Sequence, residues 1–331
     1  MCLTGAVVTR VIVVLILLVF TGPSLPSPQP GTWEPVSLAA QQTAKPAAGR
    51  GTAAPALSSS LLNDKDSVKF GVIGDTGTGG REQYDIAKLL ADARARFGYD
   101  FVIMLGDNMY GGESPADFVR KFERPYKPIL DAGVKFYATL GNHDEQSQRF
   151  YKPFNMDGKR YYTFKKGDVE FFVLDSTYMV PAQIEWVKDG LSKSSSKWKV
   201  AYFHHPLYSS GAKHGSEEDL RVTLEPLFVQ YKMDAVFAGH EHFYERVKPQ
   251  KGIYYFTAGG SAKLRSGNIS KKSTLTEKGF DTDRSFMLVE IVKDEMRFDA
   301  ISRKNQIVDT GTLLHRQAEA KSDKASVSSL R

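Results

Sequence analysis

Five short turns hold the residues that could do chemistry. Asp75 stands in Gly-Asp-Thr-Gly at 74–77, Asp107 and Tyr110 in Gly-Asp-Asn-Met-Tyr at 106–110, and Asn142 and His143 in Gly-Asn-His-Asp at 141–144. His204 ends Val-Ala-Tyr-Phe-His at 200–204, and His240 and His242 stand in Gly-His-Glu-His at 239–242. Each turn follows an apolar run that reads as a buried strand, and a nearby glycine or proline lets the backbone turn. In open α/β sheets ligands bind at the carboxyl ends of the strands, so these polar ends would converge on one edge. Taken singly, a strand-end Asp is more often a turn former. Five in succession point to a site. Carboxylate oxygen and imidazole nitrogen without thiolate suit zinc, iron or manganese. The donors outnumber what one ion needs, and Asp107, in the middle of the set, is a carboxylate able to bridge two.

Histidine placement supports this. Of seven histidines, His143, His204, His205, His214, His240 and His242 lie in or beside these turns, and His315 stands apart. Strand alternation would point His205 away from His204, a structural role. His214 lies in the loop Ser209-Ser210-Gly211-Ala212-Lys213-His214-Gly215, where it could close on a substrate or only shape the loop. Gly77-Thr78-Gly79-Gly80 resembles a phosphate cradle, but Arg81 follows where a nucleotide loop needs Lys-Ser or Lys-Thr, so it reads as a flexible turn. Asp175 reads as a turn residue, and Asn268-Ile269-Ser270 as a glycan acceptor only in a eukaryotic secretory context.

The elements that must position these residues follow a strand–helix–strand rhythm of about thirty residues, as in a parallel sheet. Strands are predicted at 68–73, 101–105 and 134–140, with helices between them at 86–93 and from Pro115 past Pro125. A hairpin follows at 161–174, then a helix from Pro181, a strand at 198–203, a helix over 216–231 capped by Ser216, and a strand at 235–238. The remaining strands are placed at 253–257, 285–292, 296–302 and near Ile307.

With 331 residues, 41% hydrophobic and 25% charged, the chain can bury a full core. The formal charge of +6 is carried by scattered Lys and Arg, so no nucleic-acid partner is expected. The single cysteine, Cys2, precedes an apolar run at 11–20 that fits a secretory signal better than a membrane span. Residues 1–25 are therefore expected to be a signal peptide and 26–66 a disordered Pro/Ala/Ser-rich linker. Residues 67–314 are the expected catalytic domain and 315–331 a disordered tail. The protein would be secreted or periplasmic, without a stable membrane span after signal cleavage and without disulfides.

Taken together and in this order, the five motifs resemble those of the calcineurin-like metallophosphoesterases over residues 68–302, and Tyr110 resembles the purple acid phosphatases. The resemblance implies an α/β layered fold, two face-to-face mixed β-sheets flanked by helices. It implies that Asp75, Asp107, Tyr110 and His242 hold one metal, Fe(3+) in purple members. Asp107, Asn142, His204 and His240 would hold a second, Zn(2+), Fe(2+) or Mn(2+). His143 and His214 would be catalytic and, with Asn142, would bind substrate. The implied reaction is acid phosphatase hydrolysis of small-molecule phosphomonoesters by attack of a metal-bound hydroxide. An exported phosphodiesterase acting on nucleotides or phospholipid headgroups is the alternative within enzymes, and a metal-binding protein with a dead site the alternative outside them. Two departures from the family pattern stand out. Val200 lies one position early in its motif, and the chain has no room for the amino-terminal sandwich domain of the large plant enzymes, which leaves the oligomeric state open.

Overall fold

The computed structural model describes residues 58–316. The expected signal, most of the expected linker and the expected tail beyond Arg316 lie outside the described residues. The chain begins with β1 (Val68–Ile73), α1 (Arg81–Phe97) and β2 (Phe101–Met104). A helical segment follows as α2 (Pro115–Phe118), a π-helical turn at 119–123 and α3 (Arg124–Asp131), leading into β3 (Lys135–Ala138). Next come β4 (Tyr162–Lys166), β5 (Val169–Val173), α4 (Pro181–Lys193), β6 (Trp198–Phe203), α5 (Glu218–Gln230) and β7 (Ala235–Ala238). The last elements are β8 (Tyr244–Gln250), β9 (Ile253–Ala258), β10 (Thr276–Phe280), β11 (Ser285–Val292), β12 (Glu295–Ser302) and β13 (Ile307–Leu314).

The strands form two mixed sheets, as expected. One runs β13-β12-β11-β1-β2-β3 and the other β10-β8-β9-β7-β6-β5-β4. Within them β1, β2 and β3 are mutually parallel, as are β5, β6, β7 and β9. These inner strands read as unbroken apolar runs because both of their faces are covered; β2 and β7 are buried at every residue. Between the sheets, Phe70 meets Phe171 edge to face at 5.4 Å and Phe237 at 6.1 Å. Outside the first sheet lie α1, burying Ile86, Leu90 and Phe97, and α3. Outside the second, Val187 and Leu191 of α4 and Leu224 and Phe228 of α5 pack in a separate apolar cluster.

Three details differ from the sequence expectations. β10 forms one edge of the second sheet with β8 beside it, and their charged or glycine-bearing sequences hid them as strands. Ser216 does not cap α5, whose cap position is Glu217; it pairs with the Ser209 backbone at 3.0 and 3.2 Å. The end of the expected linker is tied down. Buried Glu290 on β11 accepts the backbone N–H groups of Leu62, Asn63 and Asp64 at 2.6, 3.0 and 2.6 Å, while Ser60 Oγ donates to Phe298 O.

Because one carboxylate satisfies three backbone donors, Glu290→Ala should cost about 2–4 kcal/mol, a melting temperature lower by roughly 4–12 °C. An unchanged thermal melt would mean that this segment adds nothing to stability.

Candidate metal centre

The parallel strands of both sheets end on one side of the molecule, and their turns interlock there. Asp75 N–H donates to Gly106 O at 3.1 Å, joining the turns after β1 and β2. His204, at the end of β6, lies with Nδ1 2.9 Å from Leu105 O, and His240 N–H donates to Asp75 Oδ2 at 2.9 Å. Contacts between the sheets therefore run through the site residues themselves. Asp75, Asp107 and His240 have φ of 55°, 50° and 68°, a left-handed backbone that costs a non-glycine residue roughly 1–2 kcal/mol. Such outliers persist only where the surroundings impose them. Gly141 allows a close approach: a Cβ there would lie 2.3 Å from Asp107 Oδ1.

The side chains gather in two adjoining sets. In the first, the Tyr110 hydroxyl lies 3.0 Å from Asp75 Oδ1, 2.8 Å from Asp107 Oδ2 and 3.4 Å from His242 Nε2. In the second, Asn142 Oδ1 lies 3.0 Å from His204 Nε2 and 3.1 Å from His240 Nδ1, and Asp107 Oδ1 lies 3.4 Å from His204 Nε2. His143 packs against the Tyr110 ring at 5.0 Å and His214 against the His240 ring at 4.4 Å. All nine residues singled out from the sequence thus meet on this edge.

The electrostatics fit cations. Asp75 and Asp107 are buried, and among the described residues neither forms an ion pair with a lysine or arginine. Burial, then the charge of Asp107, pushes the Asp75 carboxyl well up, and burial followed by both carboxylates does the same to the Tyr110 phenol. Burial pushes His240 down to about 2, His242 down to about 3 and His204 well below its usual range, leaving neutral imidazoles with lone pairs. Crowded anionic oxygens beside neutral nitrogens form a donor set that a divalent or trivalent ion would satisfy.

His205 needs correction. β6 ends at Phe203, so strand alternation no longer governs the next residues. The His205 ring lies 4.5 Å from that of His240 and 4.8 Å from that of His204, with Nδ1 2.9 Å from Ser176 Oγ. One of its nitrogens falls within 4.8 Å of donors from both histidines. Asp175 is a turn residue, accepting from Thr177 and Tyr178 N–H, and also pairs with Arg160 Nε at 2.7 Å.

Residues that brace the site escaped the sequence reading. Asp144 accepts from Asn108, Met109 and Gly141 N–H at 3.0, 2.9 and 2.9 Å, joining the turns that carry Asp107 and Asn142. Lys121, buried in the π-helical turn, donates to Tyr110 O at 2.8 Å and pairs with Asp117 at 3.1 Å. Buried Glu241, between His240 and His242, accepts from His214 N–H at 3.2 Å, Gly215 N–H at 2.8 Å, Asn268 Nδ2 at 3.0 Å and Arg265 Nη1 at 3.3 Å. The Asn268 amide is thus engaged inside the protein. Glu241 was legible only as the variable position between two histidines. Tyr244 and Arg246, by contrast, read from the sequence as braces because they follow the histidine pair, and both reach Asp309 on β13, at 2.7 and 2.8 Å.

The family model described as calcineurin-like phosphoesterase matches residues 68–244, which contain all five motifs. The chain belongs to this family. Among curated proteins, it is similar to purple acid phosphatase 4 of Arabidopsis thaliana, 27% identical over 71% of this chain and 80% of that protein. Another relative, Fe(3+)-Zn(2+) purple acid phosphatase 12 of Arabidopsis thaliana, is 28% identical over 58% of this chain and 46% of that protein. The fold is shared with a purple acid phosphatase from yellow lupin (Lupinus luteus) seeds, TM-score 0.66 at 18% identity, covering 77% of this chain and 55% of that one. It is also shared with the anchor in the inner membrane complex of Plasmodium, TM-score 0.65 at 19% identity, covering 76% and 89%. The family makes this chain a phosphoesterase by descent.

Truncating Glu241 to alanine would leave four donors unpaired beneath two loops. Glu241→Ala should lower stability by about 3 kcal/mol and make limited proteolysis start within 206–217 or 262–270. A wild-type digestion pattern would show that other contacts hold these loops.

Proposed function

We propose that the chain is an exported acid phosphatase that hydrolyses phosphomonoesters at a two-metal centre within residues 67–314. One observation carries this reading. The two oxygens of Asp107 face different sets, Oδ2 lying 2.8 Å from Tyr110 and Oδ1 3.4 Å from His204. A carboxylate so placed is suited to be shared by two ions. Asp75, Asp107, Tyr110 and His242 would hold Fe(3+), for which a phenolate is a good ligand, and Asp107, Asn142, His204 and His240 would hold Zn(2+), Fe(2+) or Mn(2+). The Fe(3+)-Zn(2+) relative supports that pairing. When bound, the ions supply Lewis-acid charge to the phosphoryl oxygens and lower the pKa of water.

The protein does the rest. The imidazoles of His143 and His214, over the first and second sets respectively, donate hydrogen bonds to the phosphoryl group and to the departing oxygen. The Asn142 amide, between His204 and His240, fixes the orientation of the second set. Glu241 ties the His214 loop to the turn that carries both histidine ligands, so substrate contacts and donors move as one unit. Export rests on the apolar run at 11–20, and the substrate class on small-molecule phosphate esters.

Asp107→Asn should lower the turnover of an aryl phosphate by at least roughly a hundredfold while circular dichroism stays native. Full activity in that variant would remove the shared-carboxylate mechanism. Assayed alongside, a bis-aryl phosphate diester should turn over more slowly than the monoester; the reverse order would make the chain a diesterase. Tyr110→Phe should bleach the visible absorption of iron-loaded protein, since charge transfer needs the phenolate. A band that survives would place the phenol outside the iron's ligands.

A further inference from the structure

Seven large apolar side chains are exposed among the described residues, and three of them border one cleft. Phe150, 65% exposed, ends the short helical turn at 146–150, while Tyr178 and Val180, 54% and 37% exposed, stand between β5 and α4. The cleft measures about 600 Å³, and its lining includes Arg149, Lys159, Arg160, Val180 and Trp186. Gly158 lines it too, and a Cβ there would lie 3.0 Å from the Phe150 ring; Arg160 Nη2 donates to Tyr178 O at 2.7 Å. The Arg149 guanidinium lies 4.5 Å from the centroid of the Phe150 ring, and that of Arg160 lies 5.3 Å from the Tyr178 ring. Arg160 pairs with buried Asp175 at 2.7 Å, whereas exposed Lys159 forms no ion pair among the described residues.

Single exposed apolar side chains are ordinary, and the other four, Leu62, Val119, Val222 and Leu314, stand on separate segments. Here three occur together with arginines laid on two rings. The charge is concentrated as well: residues 145–166 carry six Lys and Arg against two Asp and Glu, a net +4 in a chain whose total is +6. A groove built for a peptide takes its partner's side chains into pockets, but Phe150 and Tyr178 stand out from the surface. Protruding rings flanked by cations match the interface of an anionic bilayer, where rings enter the headgroup layer and cations meet lipid phosphates. We propose that this face is a lipid-contact surface, with Phe150, Tyr178 and Val180 entering the headgroup layer of an anionic membrane and Arg149 and Lys159 pairing with its phosphates. The contact goes beyond the phosphatase reading and does not depend on it.

The test is flotation of the full chain with vesicles of phosphatidylcholine alone or mixed equally with phosphatidylglycerol. Wild type should float with the mixed vesicles, bind phosphatidylcholine alone at least roughly tenfold more weakly, and be released by high salt. The apolar variant, Phe150→Ala with Tyr178→Ala, and the charge variant, Arg149→Gln with Lys159→Gln, should each bind the mixed vesicles roughly tenfold more weakly at an unchanged thermal melt. Phe150→Trp keeps a ring at this position and should show more indole quenching by brominated lipid than wild type. No added quenching would place residue 150 outside the lipid and overturn the proposal, as would wild-type protein that stays unbound or binding that both double variants retain. Loss in the charge variant alone would reduce the contact to general attraction of a basic chain and overturn it too. A wild-type dimer in sedimentation that the apolar variant splits would make the face a contact between copies, again overturning it.

Discussion

The position of the Asp107 carboxylate constrains the rest of the structure. One oxygen faces Tyr110 and the first set, and the other faces His204 and accepts the His143 N–H at 3.0 Å. Holding it there requires a left-handed backbone at Asp107, a glycine at position 141 and the Asp144 carboxylate bridging the neighbouring turns. Each of these is unfavourable alone. Together they trap one buried carboxylate between donors from two sheets.

The two-sheet architecture makes this possible. Asp75, Asp107 and Asn142 come from the first sheet, and His204, His240 and His242 from the second. The aromatic layer of Phe70, Phe101, Phe171 and Phe237 fixes the spacing between the sheets. The strained turns and the like charges of Asp75 and Asp107 oppose folding, and burial of this large core offsets them. Bound cations would neutralise the crowded carboxylates, so metal binding and local stability are coupled at this edge.

Much of this was legible in the sequence, because the signals were local. Strand-end turns such as Gly106-Asp107 and Gly239-His240 announce themselves through an apolar run, a glycine and a polar residue. What could not be read depends on contacts distant in sequence. Glu241 matters through the 214–215 and 265–268 segments, and Glu290 through backbone more than 220 residues earlier. His205 was misplaced because a strand's alternation was carried past the strand's end. Strand β10, at an edge of the second sheet, and β8 beside it escaped because their charged or glycine-bearing sequences carry no apolar run.

The central claim is that two adjoining donor sets share one carboxylate, and the metal content of the protein tests it most directly. Elemental analysis of purified wild-type chain, dialysed against metal-free buffer after exposure to iron and zinc, should find two ions per chain, one of them iron. One ion or none would contradict a shared Asp107 and leave the two sets as hydrogen-bonded turns.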